Sequence, residues 1–121
     1  MSRESPRIMI VDDDPVTCEL LCEVFAGEGF STLFVQSGEA ALTTLADESL
    51  DVLVSDIRMK TRVDGLALLD HVREHYPQIP VVLMTAFGSV DTAVRAVKQG
   101  AFDYVSKPFD IDALVDRKSV V

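Results

Sequence analysis

The chain has 121 residues, a length that suits one domain with a sizeable hydrophobic core. Its formal net charge of −9 argues against direct binding of nucleic acid, because phosphate backbones attract clusters of Lys and Arg. The same charge suits a divalent cation or a basic partner. No apolar run is long enough to span a membrane, and charges and Pro6 break up the N-terminal segment, so we expect a cytoplasmic protein.

The first part of the chain combines a short apolar run with a helix start. Arg7-Ile-Met-Ile-Val11 is too short for a helix and is bounded by charge, which predicts a strand. Pro15 fits the first turn of a helix, and Asp14 fits its N-cap. Cys18 and Cys22 are expected to face the core together as reduced thiols. At one-face spacing, the apolar side of this helix is predicted to contain Leu20, Leu21, Val24 and Phe25.

Four further strands and four further helices are predicted after it. The strands span residues 30–35, 52–55, 81–84 and 104–106, and the second of these has no polar face, which suits a strand buried on both sides. The helices begin near residues 37, 65, 90 and 110. Their apolar sides are predicted at Leu42 and Leu45; at Leu66, Leu69, Val72 and Tyr76; at Val90, Ala93, Val94 and Val97; and at Ile111, Leu114 and Val115. This alternation predicts a flavodoxin-like (βα)5 fold, a doubly wound five-stranded parallel sheet in the order 2-1-3-4-5 with helices on both faces.

Polar residues follow four strands that would adjoin in this sheet. Asp12 and Asp13 follow the first strand, Asp56 the third, Thr85 the fourth and Lys107 the fifth. The carboxyl ends of parallel strands lie at one edge, so these side chains should converge. Three carboxylates repel one another unless a cation joins them, and oxygen ligands of this kind suit Mg²⁺. With the metal bound, Asp56 can act as a nucleophile toward phosphorus, with Thr85 as a hydroxyl donor and Lys107 as a fixed cation for the phosphoryl oxygens.

Four pieces of the sequence resemble the response-regulator receiver domain of two-component signalling, and the resemblance extends over about residues 7 to 118. The pieces are Ile10-Val-Asp-Asp13, Val54-Ser-Asp56-Ile-Arg-Met59, Leu83-Met-Thr85-Ala86 and Tyr104-Val-Ser-Lys107-Pro-Phe109. Each piece alone is a weak signal, whereas all four in this order and at these separations are specific. The resemblance implies one receiver domain over residues 1–121, with the effector domain lying outside this chain.

The resemblance also implies roles for individual residues. Asp56 would accept the phosphoryl group from a histidine kinase. Mg²⁺ would be bound directly by Asp13, Asp56 and the backbone carbonyl of Arg58, while Asp12 would act largely through water. Thr85 and Lys107 would contact the phosphoryl group, and Tyr104 occupies the aromatic switch position. Such a domain is a signalling phosphoacceptor that catalyses only its own phosphorylation and dephosphorylation.

The output face implied by the family comprises the fourth helix, the fifth strand and the fifth helix. The runs Thr85 to Val94, Gly100 to Tyr104 and Lys107 to Asp112 resemble receivers of nitrogen-regulator type. Such receivers precede a sigma-54-activating ATPase and a DNA-binding domain, so the resemblance implies a role in the control of transcription. The implied partners are a sensor histidine kinase, the effector domains of the parent protein and a second copy bound through the output face, with no direct contact to nucleic acid or membrane.

One departure from the family keeps an alternative open. Lys60 stands where the family has Pro, and the turn that continues to Val63 is one residue longer. A phosphorylation-independent pseudo-receiver, acting only as an interaction module, is therefore a second hypothesis. A flavin carrier of the same fold would need a Ser, Thr and Gly phosphate loop where three aspartates stand, and a dehalogenase-type phosphatase would need a carboxylate at Arg58.

Overall fold

A computed structural model describes residues 5–60, 62–85 and 90–106, and for residues 85, 90–93 and 103–106 it describes the backbone alone. Strands and helices alternate along these residues, as predicted. In chain order they are β1 (Arg7–Val11), α1 (Pro15–Gly27), β2 (Ser31–Val35), α2 (Gly38–Asp47), β3 (Val52–Asp56), α3 (Gly65–His75), β4 (Val81–Thr85), α4 (Val90–Lys98) and β5 (Asp103–Ser106). The fifth helix predicted from residue 110 lies outside the described residues. No helix within the described ranges is long and apolar enough to cross a membrane.

The strands form one parallel sheet in the order β2-β1-β3-β4-β5, which confirms the predicted topology. The chain leaves β1 toward β2 on one side and later returns to β3 on the other, so the switch point lies between β1 and β3. Val11 pairs with Ser55 across this boundary. One residue further along each strand, Asp12 and Asp56 therefore reach the same edge of the sheet.

The core consists of two apolar layers, one on each face of the sheet. Ile8 and Ile10 pack on the face that α1 covers, together with Leu21 and Phe25. The opposite layer contains other residues of β1 and β3 together with side chains from α2, α3 and α4. Because successive side chains of a strand point to opposite faces, β1 and β3 are buried on both sides, which explains why neither carries a polar stripe.

The helix faces are only partly as predicted. In α1 the buried residues are Cys18, Leu21 and Phe25, whereas Leu20 is 44% exposed, so its assignment to the apolar face is wrong. In α3 Leu68 is fully buried although the predicted stripe did not include it. A helical stripe can be rotated by one position without losing its periodicity, and the packing against the sheet decides which rotation is adopted.

The largest difference from the prediction lies in α4. Val94 and Val97 were expected to face the core, but they are 45% and 56% exposed. Ala96 is buried instead, in the layer shared with α2 and α3. A small side chain lets the helix approach the sheet closely, and this rotation leaves the valines on the outer surface.

Candidate metal centre

Three carboxylates meet at the switch point of the sheet. Asp12 and Asp13 follow β1, and Asp56 is the last residue of β3. Each offers one oxygen, and the three oxygens all lie within 4.8 Å of one another. Asp12 is 1% exposed and Asp56 is 7% exposed, while Asp13 is half-buried. No other group of three potential metal ligands occurs within the part of the chain that the structure describes.

Two of these carboxylates accept hydrogen bonds from backbone amides. The N–H of Asp14 donates to Oδ1 of Asp12 at 2.9 Å. The N–H of Lys60, in the turn after β3, donates to Oδ2 of Asp13 at 3.0 Å. Hydrogen bonds of this kind restrict the rotation of a carboxylate. The site is therefore orientated by the main chain of two separate loops.

The backbone of Asp56 is held by its neighbours. The N–H of Ile57 donates to the carbonyl of Met84 in β4 at 2.8 Å, and the N–H of Gly65 donates to the carbonyl of Ile57 at 2.9 Å. Gly65 lies so close that an added Cβ would be 2.6 Å from Cα of Ile57 and nearly against the carbonyl oxygen of Asp56. Only glycine allows the start of α3 to approach the end of β3 in this way.

The main chain of Asp12 is hydrogen-bonded through both its N–H and its carbonyl. Its N–H donates to the carbonyl of Val35 at 3.2 Å, and its own carbonyl accepts from Sγ of Cys18 at 3.3 Å. Burial, together with the charge of Asp12, raises the pKa of the Cys18 thiol from 9.0 to about 12. Cys18 therefore stays a neutral thiol donor beneath the site, in agreement with its predicted role as a reduced core cysteine.

The chemistry of the donor set suits a hard divalent cation. All three side chains offer oxygen, and two of them are almost fully buried, where like charges repel strongly. A cation among them removes that repulsion. Mg²⁺ takes one or two carboxylates directly and keeps several waters, which matches a cluster with one half-buried member.

The structure describes the remaining predicted site residues only in part. Thr85 ends β4 and pairs with Ser106 of β5, so its backbone lies toward the same edge of the sheet. Tyr104 pairs with Leu83. Lys107 lies outside the described residues, as do the side chains of Thr85 and Tyr104. Arg58 is exposed just beyond Asp56, and metal binding by its carbonyl stays a prediction.

Two contributors to the site were not predicted from the sequence. The sequence predicts only that Gly65 starts a helix, and it marks Lys60 only as a departure from the Pro of the resembled family. The pair Asp64-Gly65 could have indicated this contact. Asp64 caps α3, so Gly65 is the first residue of the helix and lies where α3 approaches the end of β3 most closely. No sequence signal indicates which carboxylate a backbone N–H will meet.

The chain is similar in sequence to known transcriptional regulators. The chain is 46% identical over 113 residues to the DNA-binding transcriptional regulator NtrC of Salmonella typhimurium, a match that covers 91% of this chain and 24% of that protein. It is 47% identical over 108 residues to the regulatory protein AtoC of Escherichia coli, covering 89% of this chain and 23% of that protein. The chain thus spans about a quarter of the length of these relatives.

A solved structure and a family model agree with these relatives. The receiver domain of NtrX from Brucella abortus superposes with a TM-score of 0.88 at 33% identity, covering 93% of this chain and 95% of that one. Residues 8–118 match the model of the response regulator receiver domain. The chain therefore belongs to the family of response regulator receiver domains, and the resemblance to receivers of nitrogen-regulator type is confirmed.

Proposed function

We propose that this receiver takes a phosphoryl group from the phosphohistidine of a sensor histidine kinase onto Asp56, with Mg²⁺ as its cofactor. In this proposal Asp13, Asp56 and the carbonyl of Arg58 bind the metal, and Asp12 acts largely through water. The convergence of three carboxylate oxygens within 4.8 Å is the observation that carries the proposal. The chain is then a phosphoacceptor whose reactions are its own phosphorylation and dephosphorylation.

The chemistry is a transfer of phosphorus from nitrogen to oxygen. A carboxylate oxygen of Asp56 attacks the phosphorus, the new O–P bond forms, and the P–N bond to the kinase imidazole breaks. The electron pair of that bond stays on the imidazole nitrogen, which takes up a proton. Bound Mg²⁺ supplies positive charge to the carboxylates and to the phosphoryl oxygens. Thr85 and Lys107 would add a hydroxyl donor and a fixed cation for the same oxygens.

The output of the reaction would be a population shift. The phosphoryl group draws Thr85 inward, Tyr104 takes the vacated space, and the surface of α4, β5 and the predicted fifth helix changes. Val94 and Val97 are exposed three positions apart on α4, and neighbouring apolar side chains of this kind support α4 as a contact surface. A second copy and the effector domains would bind there.

We further propose that residues 1–121 form one receiver domain that acts in the cytoplasm. It would control transcription through effector domains, as the names of its relatives suggest.

A pseudo-receiver that binds partners without being phosphorylated is the second candidate. Lys60 is the observation that favours it, since this position departs from the family pattern at the edge of the metal site. The two candidates differ in one product, the aspartyl phosphate. They can therefore be separated without knowing the kinase.

Intact mass after incubation with a small phosphodonor, with and without Mg²⁺, tests the proposal. We expect a single adduct in the wild-type chain that requires Mg²⁺ and is absent in Asp56→Asn. Asp14→Asn is a matched control, because it makes the same change in a nearby aspartate that caps α1, and Asn is an equally good cap. A folded, Mg²⁺-binding wild-type chain that gains no adduct would instead support the pseudo-receiver.

A further inference from the structure

The turn after β3 contains a hydrogen bond that depends on the departure from the family. The backbone N–H of Lys60 donates to Oδ2 of Asp13 at 3.0 Å and so links two loops separated by 47 positions in the chain. Proline has no N–H, so a chain with Pro here cannot form this bond. We propose that the Lys60 amide is a positioning group for the Mg²⁺ site, acting through Asp13. This inference rests on the proposed role of Asp13 as a metal ligand.

The other end of the turn is held as well. Val63 packs against the apolar layer beneath α2 and α3. It lies so close to the start of α2 that a Cβ added to Gly38 would be 2.7 Å from Cβ of Val63 and nearly against its carbonyl oxygen. Ile57 and Met59, just before the turn, are also buried. Met59 and Val63, on either side of the turn, are thus packed against the core, and this packing helps to hold the Lys60 amide near Asp13.

The geometry allows the bond and a metal to coexist on one carboxylate. A carboxylate has two oxygens and about four lone-pair sites, so one N–H leaves acceptors for a cation. The bond restricts rotation of the half-buried Asp13 side chain before metal arrives, which lowers the ordering cost of binding. It also places a partial positive charge beside a cluster of three negative ones.

The Lys60 side chain plays no part in this proposal, which makes the test specific. Lys60→Ala removes the side chain and keeps the N–H, whereas Lys60→Pro removes the N–H. Titration of each ¹⁵N-labelled variant with MgCl2, followed by NMR, reports the Mg²⁺ dissociation constant and the integrity of the fold together. We expect Lys60→Ala to match the wild type and Lys60→Pro to bind Mg²⁺ about tenfold more weakly, which corresponds to about 1.4 kcal/mol. Equal or tighter binding by folded Lys60→Pro would overturn the proposal.

A second measurement keeps the proposal testable if Lys60→Pro does not fold. In the metal-free protein the Lys60 amide proton should exchange with solvent more slowly than it does in Asp13→Ala. Equal exchange rates in the two proteins would show that the hydrogen bond is not formed and would overturn the inference. A wild-type chain with no Mg²⁺ affinity would refute the proposed function instead, and the two failures are distinguishable because amide exchange is measured without metal.

Discussion

Replacement of Gly65 by Ala tests the close approach that holds Asp56 in place. An added Cβ would lie 2.6 Å from Cα of Ile57 and 2.9 Å from the carbonyl carbon of Asp56. Both neighbours are backbone atoms, which cannot rotate aside as a flexible side chain can. The start of α3 must therefore move away from the end of β3, and Asp56 lies at that end.

The size of the effect follows from the distances. Ordinary van der Waals contact begins at 3.4 Å, so the gap to Ile57 must open by about 0.8 Å. Overpacking of this kind costs about 1–3 kcal/mol. Alanine recovers at most about 1 kcal/mol through its higher helix propensity. We expect Gly65→Ala to lower the free energy of unfolding by about 1–2 kcal/mol and to weaken Mg²⁺ binding.

Gly27→Ala is the matched control for this substitution. Gly27 is the last residue of α1, and a Cβ there would meet nothing within 4 Å. The free energy of unfolding of the Gly27→Ala variant should equal that of the wild type or exceed it by up to about 1 kcal/mol. Urea denaturation followed by far-ultraviolet circular dichroism measures both variants, since the chain has no Trp to report fluorescence. If the two variants were equally stable, the reasoning about the α3–β3 contact would be refuted.

Four further substitutions are measured by the same urea denaturation. Leu21→Ala should lower the free energy of unfolding by about 2–5 kcal/mol because Leu21 is fully buried, while Leu20→Ala, at a side chain 44% exposed, should lower it by about 1 kcal/mol or less. Asp14→Ala should lose about 1 kcal/mol because Asp14 accepts the N–H of Val16 at 3.1 Å as the N-cap of α1, and no loss would contradict the cap. For Cys18, whose pKa rises from 9.0 to about 12 on folding, the contribution to stability is present below pH 9.0 and is lost as the pH rises toward about 12. Between pH 9.0 and about 12 the free energy of unfolding should therefore fall less in Cys18→Ala than in the wild type. An equal fall in the two proteins would contradict the raised pKa.

Much of the fold could be predicted because buried strands leave a strong pattern. The run from Val52 to Ser55 has no polar face, and the structure buries it on both sides. The carboxylate at its end, Asp56, predicts that the functional site lies at the carboxyl end of β3. The convergence of Asp12, Asp13 and Asp56 follows from strand order alone, because parallel strands end at one edge.

Helix orientation could not be predicted with the same success. Leu20 and Leu21 are adjacent and equally apolar, yet one is exposed and the other buried. In α4 the small Ala96 faces the core while Val94 and Val97 do not. Periodicity identifies a helix, but a rotation of about 100° moves each residue to its neighbour's position, and only the packing against the sheet distinguishes the two.

Backbone contacts were the least predictable part of the site. Every residue except Pro carries an N–H, so the sequence does not mark Lys60 as a donor to Asp13. The requirement for Gly65 depends on a distance to Ile57 that exists only after α3 packs against β3. Such contacts form only when the tertiary structure brings distant segments together, so a sequence pattern does not reveal them.

The most direct test of the account is to locate the phosphoryl group on the chain. Borohydride reduces an aspartyl phosphate to homoserine, which tandem mass spectrometry of peptides can then assign to one position. After incubation with phosphodonor and Mg²⁺, the account predicts homoserine at residue 56 and unmodified aspartate at Asp12 and Asp13. Homoserine at Asp12 or Asp13, with Asp56 unmodified, would contradict the assignment of Asp56 as the phosphoacceptor.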